Sequence, residues 1–147
     1  MKGERAGCAG LGRPWFRCTI GGMDVALRVP ESSRWQLVTA DVGGLSALAL
    51  DDGARLGDAL RAVHAVEGGA ANWFEHRYAL RGVSLVGSGS RFRLVVHTWP
   101  EHGMATLDLS SPETSATEQL RRYVDAVVAL AGSDGVQRAR FKSAGGR

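Results

Sequence analysis

The side chains best suited to chemistry in this chain lie in the run His-Thr-Trp-Pro-Glu at positions 97–101. Histidine is the usual acid–base group near neutral pH, and a glutamate carboxylate accepts several hydrogen bonds. Pro100 cannot donate a hydrogen bond to a β ladder, so a strand that enters this run must end by Trp99. We therefore expect His97 and Glu101 to lie at the end of a strand, where polar side chains can line a cleft.

Two alternating segments flank this run and would position its side chains. Phe92, Leu94 and Val96 occupy every second position, which is the period of a strand with one buried face. Gly103 supplies a permissive backbone for a turn, and residues 104–109 then alternate again. The sequence thus predicts two strands joined by a sharp corner.

Four short motifs stand around this corner at fixed spacing. They are His-Thr-Trp-Pro-Glu at 97–101, the glycine at 103, Ala-x-Leu-Asp-Leu at 105–109 and, upstream, Gly-Val-Ser at 82–84. In this combination the chain resembles the bacterial S-adenosylmethionine decarboxylases, most reliably over residues 72–112. The resemblance implies a two-layer α/β sandwich that is usually assembled as a homodimer.

The chemistry of that family depends on a serine that this chain lacks. In the family, the serine attacks its own preceding peptide bond, the chain splits, and the serine becomes a pyruvoyl group that acts as an electron sink for decarboxylation. The matching position, five residues before His97, is Phe92, and it is preceded by Arg91 rather than by glutamate. The family's proton-donating cysteine corresponds to Pro112. Because neither replacement can do this chemistry, we expect no pyruvoyl cofactor and no self-processing.

Ser90 leaves one route to the family's chemistry open. It lies two residues before Phe92 and would share a strand face with it, so a shifted register could bring its hydroxyl to the cleavage position. However, Gly-Val-Ser at 82–84 and His97 match the family on both sides of this segment at the same spacing and without a gap. We therefore interpret Ser-Gly-Ser at 88–90 as a turn or bulge between paired strands.

Other positions of the family's site are kept. By resemblance, Glu101 corresponds to the glutamate that hydrogen-bonds the ribose hydroxyls of the substrate, and Tyr78 corresponds to an aromatic residue that stacks on adenine. His97 corresponds to the histidine that assists self-cleavage. Here it is either an acid or base in different chemistry or a structural hydrogen-bonding residue. The site therefore predicts a small-molecule ligand, either nucleoside-like or a small amine or acid.

Two arginines near the former reaction centre offer a further ligand contact. Arg91 and Arg93 share one strand face, where they are either solvated charges or a clamp for a carboxylate or phosphate. We interpret Arg91 as solvated and keep Arg93 as a candidate ligand-binding residue. His97 and His102 have no recognisable zinc spacing, so no metal is expected.

Composition narrows the class of protein. The formal net charge of +3 over 147 residues is mild and the basic residues are dispersed, which argues against a nucleic-acid partner. No apolar run approaches the length of a membrane span. Cys8 and Cys18 are too few for a disulfide framework and fit free thiols in a reducing compartment. We expect a cytoplasmic protein with neither nucleic-acid nor membrane partners.

Patterning of the remaining chain predicts an α/β (α+β) fold in which a mainly antiparallel sheet carries helices on one face. Strands are expected over 34–42, 72–80, 82–94, 104–109 and 136–141. An acidic pair at 51–52 can cap a helix that runs to about Val66. A second helix starts at Ser111 or at Ser115 and ends at Gly132.

The expected domain organisation has two parts. Residues 1–33 form an N-terminal extension with a β-hairpin, whose strands 15–20 and 23–29 flank a Gly-Gly pair. Residues 34–147 form the domain that resembles the decarboxylases. The extension lies upstream of anything that aligns with that family.

Three functions are compatible with these residues. The favoured one is a decarboxylase-like protein that does not self-process and has been repurposed as a small-molecule enzyme. The alternative is a non-catalytic binding or regulatory homologue that pairs with an active decarboxylase. The third is a pyruvoyl-dependent S-adenosylmethionine decarboxylase of spermidine biosynthesis that uses Ser90.

Overall fold

The computed structural model describes residues 8–11, 15–20, 23–28, 35–112, 115–132 and 138–144. The chain divides into two compact units, Met1–Ser33 and Arg34–Arg147. In the first unit, β1 (Cys8–Leu11), β2 (Trp15–Ile20) and β3 (Met23–Arg28) form an antiparallel sheet in that order. The sequence predicted no element where β1 lies.

The second unit is a six-stranded antiparallel sheet with its helices on one face. Its elements are β4 (Gln36–Gly43), α1 (Ala47–Leu50), α2 (Gly53–Glu67), β5 (Ala71–Arg77), β6 (Val83–Gly89), β7 (Arg93–Trp99), a 3₁₀ turn (Pro100–His102), β8 (Met104–Ser111), α3 (Ala116–Ala131) and β9 (Arg138–Ala144). The strands lie in the order β5-β6-β7-β8-β4-β9. The predicted fold class, a mainly antiparallel sheet with helices on one face, is confirmed.

The core lies between the helices and one face of this sheet. Successive side chains of a strand point to opposite faces, so Leu94 and Val96 of β7 face the helices while Val95 faces away. Apolar sheet side chains that are at most 1% exposed are Val38, Ala40, Val42, Val83, Leu85, Leu94, Val96, Ala105, Leu107 and Leu109. Each buried leucine or valine contributes about 1.5–3 kcal/mol relative to an exposed one. The buried face predicted around Leu94 is therefore confirmed.

The corner between β7 and β8 is built as the sequence predicted. β7 ends at Trp99, and Pro100 opens the 3₁₀ turn that follows. Gly103 closes that turn with φ +57°, a left-handed conformation that favours glycine. A β-carbon there would also lie 2.8 Å from the carbonyl oxygen of Leu45, so the position admits no other residue without a shift.

The predicted bounds of α2 are confirmed to within one residue. The side chain of Asp52 accepts a hydrogen bond of 3.1 Å from the backbone N–H of Arg55, and such a cap stabilises a helix by about 1 kcal/mol. Gly68, with φ +82°, ends the helix. One face of α2 buries Leu56 and Leu60 completely.

For α3, the predicted start at Ser111 is wrong and the start at Ser115 is correct. Ser111 is the last residue of β8 and is fully buried, because its side chain falls on the core face of that strand. Ser115 precedes the helix, but its hydroxyl makes no capping hydrogen bond. In the part of the chain that the structure describes, no helix is both long and apolar enough to cross a membrane.

Three strand predictions also need correction. The single strand expected over 82–94 is two strands, because the chain turns at Gly89–Phe92, where the N–H of Gly89 donates to the carbonyl oxygen of Phe92 at 3.0 Å. β5 ends at Arg77, which places Tyr78 in a loop rather than in the strand expected over 72–80. The last strand, β9, extends beyond the predicted end, and positions 136–137 lie outside the described residues.

Candidate functional site

A row of polar side chains crosses the sheet on the face opposite to the helices. Strand pairing sets Ser84 between His76 and His97. His97 in turn lies opposite Thr106, whose hydroxyl donates a hydrogen bond of 3.1 Å to the carboxylate of its own neighbour, Asp41. Directly paired residues of antiparallel strands share a face. His97 therefore belongs to this polar row and not to the core.

Within this row, two short hydrogen bonds join Tyr78, Ser84 and His97. The phenolic oxygen of Tyr78 lies 2.7 Å from Ser84 Oγ, and Ser84 Oγ lies 2.6 Å from His97 Nδ1. Ser84 is only 8% exposed, so the oxygen that both bonds share is largely shielded from water, which strengthens them. Tyr78 is 45% exposed, which leaves part of its ring surface open to a ligand.

This chain of hydrogen bonds has two possible polarities. A serine hydroxyl carries one proton and can donate it to only one neighbour. When Ser84 donates to His97, Tyr78 donates to Ser84 and the imidazole carries its proton on Nε2. In the reverse polarity the imidazole donates from Nδ1, Ser84 donates to Tyr78, and the phenol proton is free to point elsewhere. The arrangement therefore links a proton on Tyr78 to the protonation site of His97.

A cleft of about 760 Å³ lies beside this chain. Its lining residues are Tyr78, Ala79, Leu80, Arg81, His97, Thr98, Trp99 and Glu101. Such a volume suits a ligand of nucleoside size. The ring centroids of His97 and Trp99 are 6.0 Å apart, so aromatic surface forms part of the wall. The cleft brings together three of the residues expected from the sequence, namely Tyr78, His97 and Glu101.

The loop that carries Tyr78 into the cleft is fixed at its base. The N–H of Tyr78 donates to the carbonyl oxygen of Gly82 at 3.0 Å, which closes a short loop between β5 and β6. The N–H of Gly82 donates to the Asp51 carboxylate at 2.8 Å. Gly82 has φ +93°, and a β-carbon there would lie 2.7 Å from the carbonyl oxygen of Thr98. These contacts hold both ends of the loop and leave its tip, Leu80, 96% exposed.

Thr98 holds the base of the cleft in place through hydrogen bonds on the core face of β7. Its hydroxyl accepts a hydrogen bond of 2.9 Å from the N–H of Val83 and donates one of 3.0 Å to the carbonyl oxygen of Leu50. Thr98 is 3% exposed, and a buried hydroxyl without partners would cost several kcal/mol. A single buried side chain thus joins α1, β6 and β7 behind the cleft.

Phe92, which the resemblance matches to the family's serine, is part of the core. It is 5% exposed, and its ring is stacked on that of His64 at a centroid distance of 4.3 Å and an interplanar angle of 21°. Trp73 packs beside both rings, with its centroid 6.2 Å from that of Phe92 and 6.1 Å from that of His64. A β-carbon on Gly89 would lie 2.9 Å from the Phe92 ring, so that glycine makes room for it. A hydrocarbon ring packed in this way cannot become a pyruvoyl group, and the residues present do not fit that group.

The remaining sequence candidates lie at the opposite end of β7. Arg93 is exposed and pairs with Ser110, about 13 Å along the strand from His97. It does not line the cleft. Pro112 follows the end of β8. Because β7 and β8 are antiparallel, Pro112 lies at the same end of this strand pair as the turn that contains Phe92.

Ser90 does not share a face with Phe92, contrary to the prediction from strand parity. Parity fails because Ser90 lies in the turn between β6 and β7 and not in a strand. It lines a small pocket with Asn72 and Ser88, whereas Phe92 lines a different pocket with His64.

Sequence reasoning missed one residue that lines the cleft, Arg81, and two that hold its walls through hydrogen bonds, Ser84 and Asp51. Ser84 stood in the quoted Gly-Val-Ser motif, but its place opposite His97 depends on strand register. Asp51 was interpreted only as a helix cap, and Arg81 carried no signal at all. Among the described residues, no group of three or more His, Cys, Asp or Glu side chains could hold a metal ion.

Comparison with known proteins supplies the context for this site. A family model described as S-adenosylmethionine decarboxylase matches residues 36–137. The fold is similar to the crystal structure of the adenosylmethionine decarboxylase from Aquifex aeolicus VF5, with a TM-score of 0.60 and 19% sequence identity over 76% of this chain and 88% of that one. No curated protein sequence matches.

Proposed function

The chain belongs to the S-adenosylmethionine decarboxylase family, and we propose that it is a member that does not self-process and works as a repurposed small-molecule enzyme with a nucleoside-like or small amine or acid ligand. The single observation that carries this proposal is the burial of Phe92 against His64 at the position of the family's serine. The pyruvoyl group requires a hydroxyl there, so the family's decarboxylation chemistry has no starting point in this chain.

The geometry of the cleft supports ligand binding without that group. Tyr78 offers a partly exposed ring for stacking on a flat base. Glu101 offers a carboxylate that can accept two hydrogen bonds from a diol, and no ion pair or hydrogen bond to another side chain occupies it in the described residues. His97, held by Ser84, can donate or accept a proton at the cleft. Stacking, diol recognition and acid–base capacity thus meet in one place.

We also propose that the protein forms a homodimer through the open face of its sheet. Leu37 and Phe74 are 43% and 64% exposed, and strand parity places both on the face opposite to the helices. Exposed apolar side chains on a sheet face favour association. A second copy would bury both side chains.

Intact-mass spectrometry of the purified protein tests the proposal. We expect one species at 15.6 kDa. Two fragments, the second blocked at its N-terminus by a keto-acyl group, would overturn it. Cleavage before residue 90 would show that Ser90 performs the self-processing, and the Ser90→Ala variant would then remain intact.

One observation favours the second candidate, a non-catalytic binding or regulatory homologue. Ser84, the hydroxyl closest to His97, is engaged on both sides and buried, so it is not available as a nucleophile. Thermal-shift measurements with S-adenosylmethionine and related nucleosides, followed by product analysis, separate the two. Stabilisation without turnover would favour binding alone, and co-purification with a second decarboxylase-like chain would favour a regulatory partner.

A further inference from the structure

We propose that Cys8 and Cys18 form a reversible disulfide that links β1 to β2. The structure sets these two residues directly opposite each other in the antiparallel strand pair. The chain contains no other cysteine. Both lie in the unit Met1–Ser33, upstream of the segment 36–137 that matches the family model. The inference is therefore independent of the function proposed for the cleft.

The register of the two strands meets the backbone requirements of a disulfide. Directly opposed residues of antiparallel strands have α-carbons about 4.5 or 5.5 Å apart, depending on whether the pair exchanges backbone hydrogen bonds. A disulfide usually joins residues whose α-carbons are about 4.4–6.8 Å apart, so both kinds of pair fall within its reach. Opposed residues also share one face of the sheet. Strand pairing thus places Cys8 and Cys18 where a disulfide can join them.

The size of the N-terminal unit is a second reason to expect a cross-link. The unit comprises residues 1–33, and its described part is the three-stranded sheet β1-β2-β3. Units below about 40 residues bury too little apolar surface to be stable alone, and disulfides, metals or association usually stabilise them. A bond between Cys8 and Cys18 would close a short loop in the unfolded chain and lower its entropy. The register of the strands thus offers a stabilising bond to a unit of a size that usually requires one.

Formation of the bond needs an oxidant, for which a small disulfide such as glutathione disulfide suffices. One cysteine thiolate attacks the small disulfide, which forms a mixed disulfide and releases one small thiol. The second cysteine thiolate attacks the protein sulfur of that mixed disulfide and releases the other small thiol. The two cysteines lose two electrons and two protons in total, and the small disulfide gains them. In a reducing compartment the reverse exchange returns the free thiols expected from the sequence.

Mass spectrometry of the full chain tests the bond after equilibration with glutathione disulfide and alkylation of the remaining thiols. We expect a monomeric chain that carries no alkyl group and is lighter than the reduced chain by two hydrogen atoms. Trypsin cleaves after Arg17 and so separates the cysteines into peptides 6–17 and 18–28, which only this bond would hold together. Free thiols, stable glutathione adducts or disulfide-linked dimers as the main product would overturn the proposal.

A control variant distinguishes strand pairing from mere closeness in sequence. In the double variant Arg17→Cys/Cys18→Ser, the second cysteine moves by one position and therefore to the opposite face of β2. We expect this variant to stop at the glutathione adduct, as the single variants Cys8→Ser and Cys18→Ser must, whereas the unaltered chain forms the internal bond. Equal bond formation in the double variant would show that chain flexibility joins the cysteines, and it would overturn the role of the register.

Hydrogen exchange measures whether the bond stabilises the sheet. Closing a loop of this length is expected to slow the opening of the linked strands by about a hundredfold. The amides of β1 and β2 should therefore exchange more slowly in the oxidised chain than in the reduced chain. Cys8→Ser should exchange at the same rate under both conditions. Equal exchange in the oxidised and reduced forms of the unaltered chain would overturn the stabilising role of the disulfide.

Discussion

Ser84 Oγ lies 2.6 Å from His97 Nδ1, on the face of the sheet that the helices do not cover. The two residues are 13 positions apart in the chain and meet because β6 and β7 pair in this register. A shift of one residue would send Ser84 to the core and leave the imidazole without its partner. The chemistry of the cleft therefore depends on strand register as much as on residue identity.

Ser84→Ala should disturb the tautomer of His97 more than the stability of the protein. Loss of one hydrogen bond costs about 1 kcal/mol, whereas the imidazole loses the neighbour that determines which nitrogen carries the proton. Nitrogen NMR shifts of His97 measure the tautomer ratio. Tyr78→Phe, which removes the far end of the chain, should change the ratio in the same way. An unchanged ratio in both variants would mean that the chain does not act as a unit.

Gly82→Ala should destabilise the protein by about 1–3 kcal/mol, because a left-handed backbone and a close carbonyl oxygen both oppose a β-carbon. Gly69→Ala is the matched control, since Gly69 has φ +98° but no atom within 4 Å of a β-carbon. Chemical unfolding of both variants measures the difference. If the two losses are equal, the contact with Thr98 O contributes nothing.

Asp51→Ala should loosen the loop between β5 and β6 and weaken ligand binding. The lost bond joins a carboxylate to the N–H of Gly82, and bonds to charged groups contribute about 1.5–3 kcal/mol. Hydrogen exchange at Gly82 should accelerate. Asp52→Ala, which removes the cap of α2 next door, should lower stability by about 1 kcal/mol without changing exchange at Gly82.

Phe92→Ser should cost about 3–5 kcal/mol of stability and still yield an uncleaved chain. The serine would leave a cavity beside His64 and Trp73. It would also follow an arginine, and the resemblance matches Pro112 to the family's cysteine. Phe92→Leu keeps an apolar side chain and should cost less. Spontaneous cleavage of Phe92→Ser, seen by mass spectrometry, would show that the fold retains the family's processing machinery.

We expect the protein to lose stability at alkaline pH because of the buried phenol of Tyr123. Burial, and secondarily the charge of Glu67, raises the pKa of the Tyr123 phenol well above its ordinary value of 10.0. Above about pH 10 the unfolded chain releases this proton while the folded chain keeps it, so the free energy of unfolding falls as pH rises. Melting temperatures from pH 8 to pH 11 should show a decline that is shallower in Tyr123→Phe. An equally steep decline in that variant would assign it to other groups.

The fold class and the corner between β7 and β8 could be predicted because they depend on local signals. Alternation at Leu94 and Val96, the missing donor of Pro100 and the flexibility of Gly103 each act within a few residues. A turn or bulge was expected at 88–90, but one strand was still predicted over 82–94 because the apolar pattern runs on either side of the turn almost without interruption. α1 was missed because four residues are too few to show a helical period.

The site was less predictable because its members come from separate elements. Tyr78 and His97 were found through their resemblance to known motifs, but their connection through Ser84 requires the pairing of β6 with β7. Asp51 lies 31 residues from the loop that it anchors, and no local pattern marks such a contact. Arg93 was proposed from its neighbourhood in sequence, although the length of β7 separates it from the cleft.

The aromatic packing at Phe92 extends to two glycines of β6. A β-carbon on Gly87 would lie 2.7 Å from the Trp73 ring, and one on Gly89 would lie 2.9 Å from the Phe92 ring. The space around Phe92 is thus filled by several mutually fitted residues. A hydroxyl introduced at position 92 alone would leave Trp73, His64 and both glycines poorly packed, so a well-packed chain with serine there requires several substitutions made together.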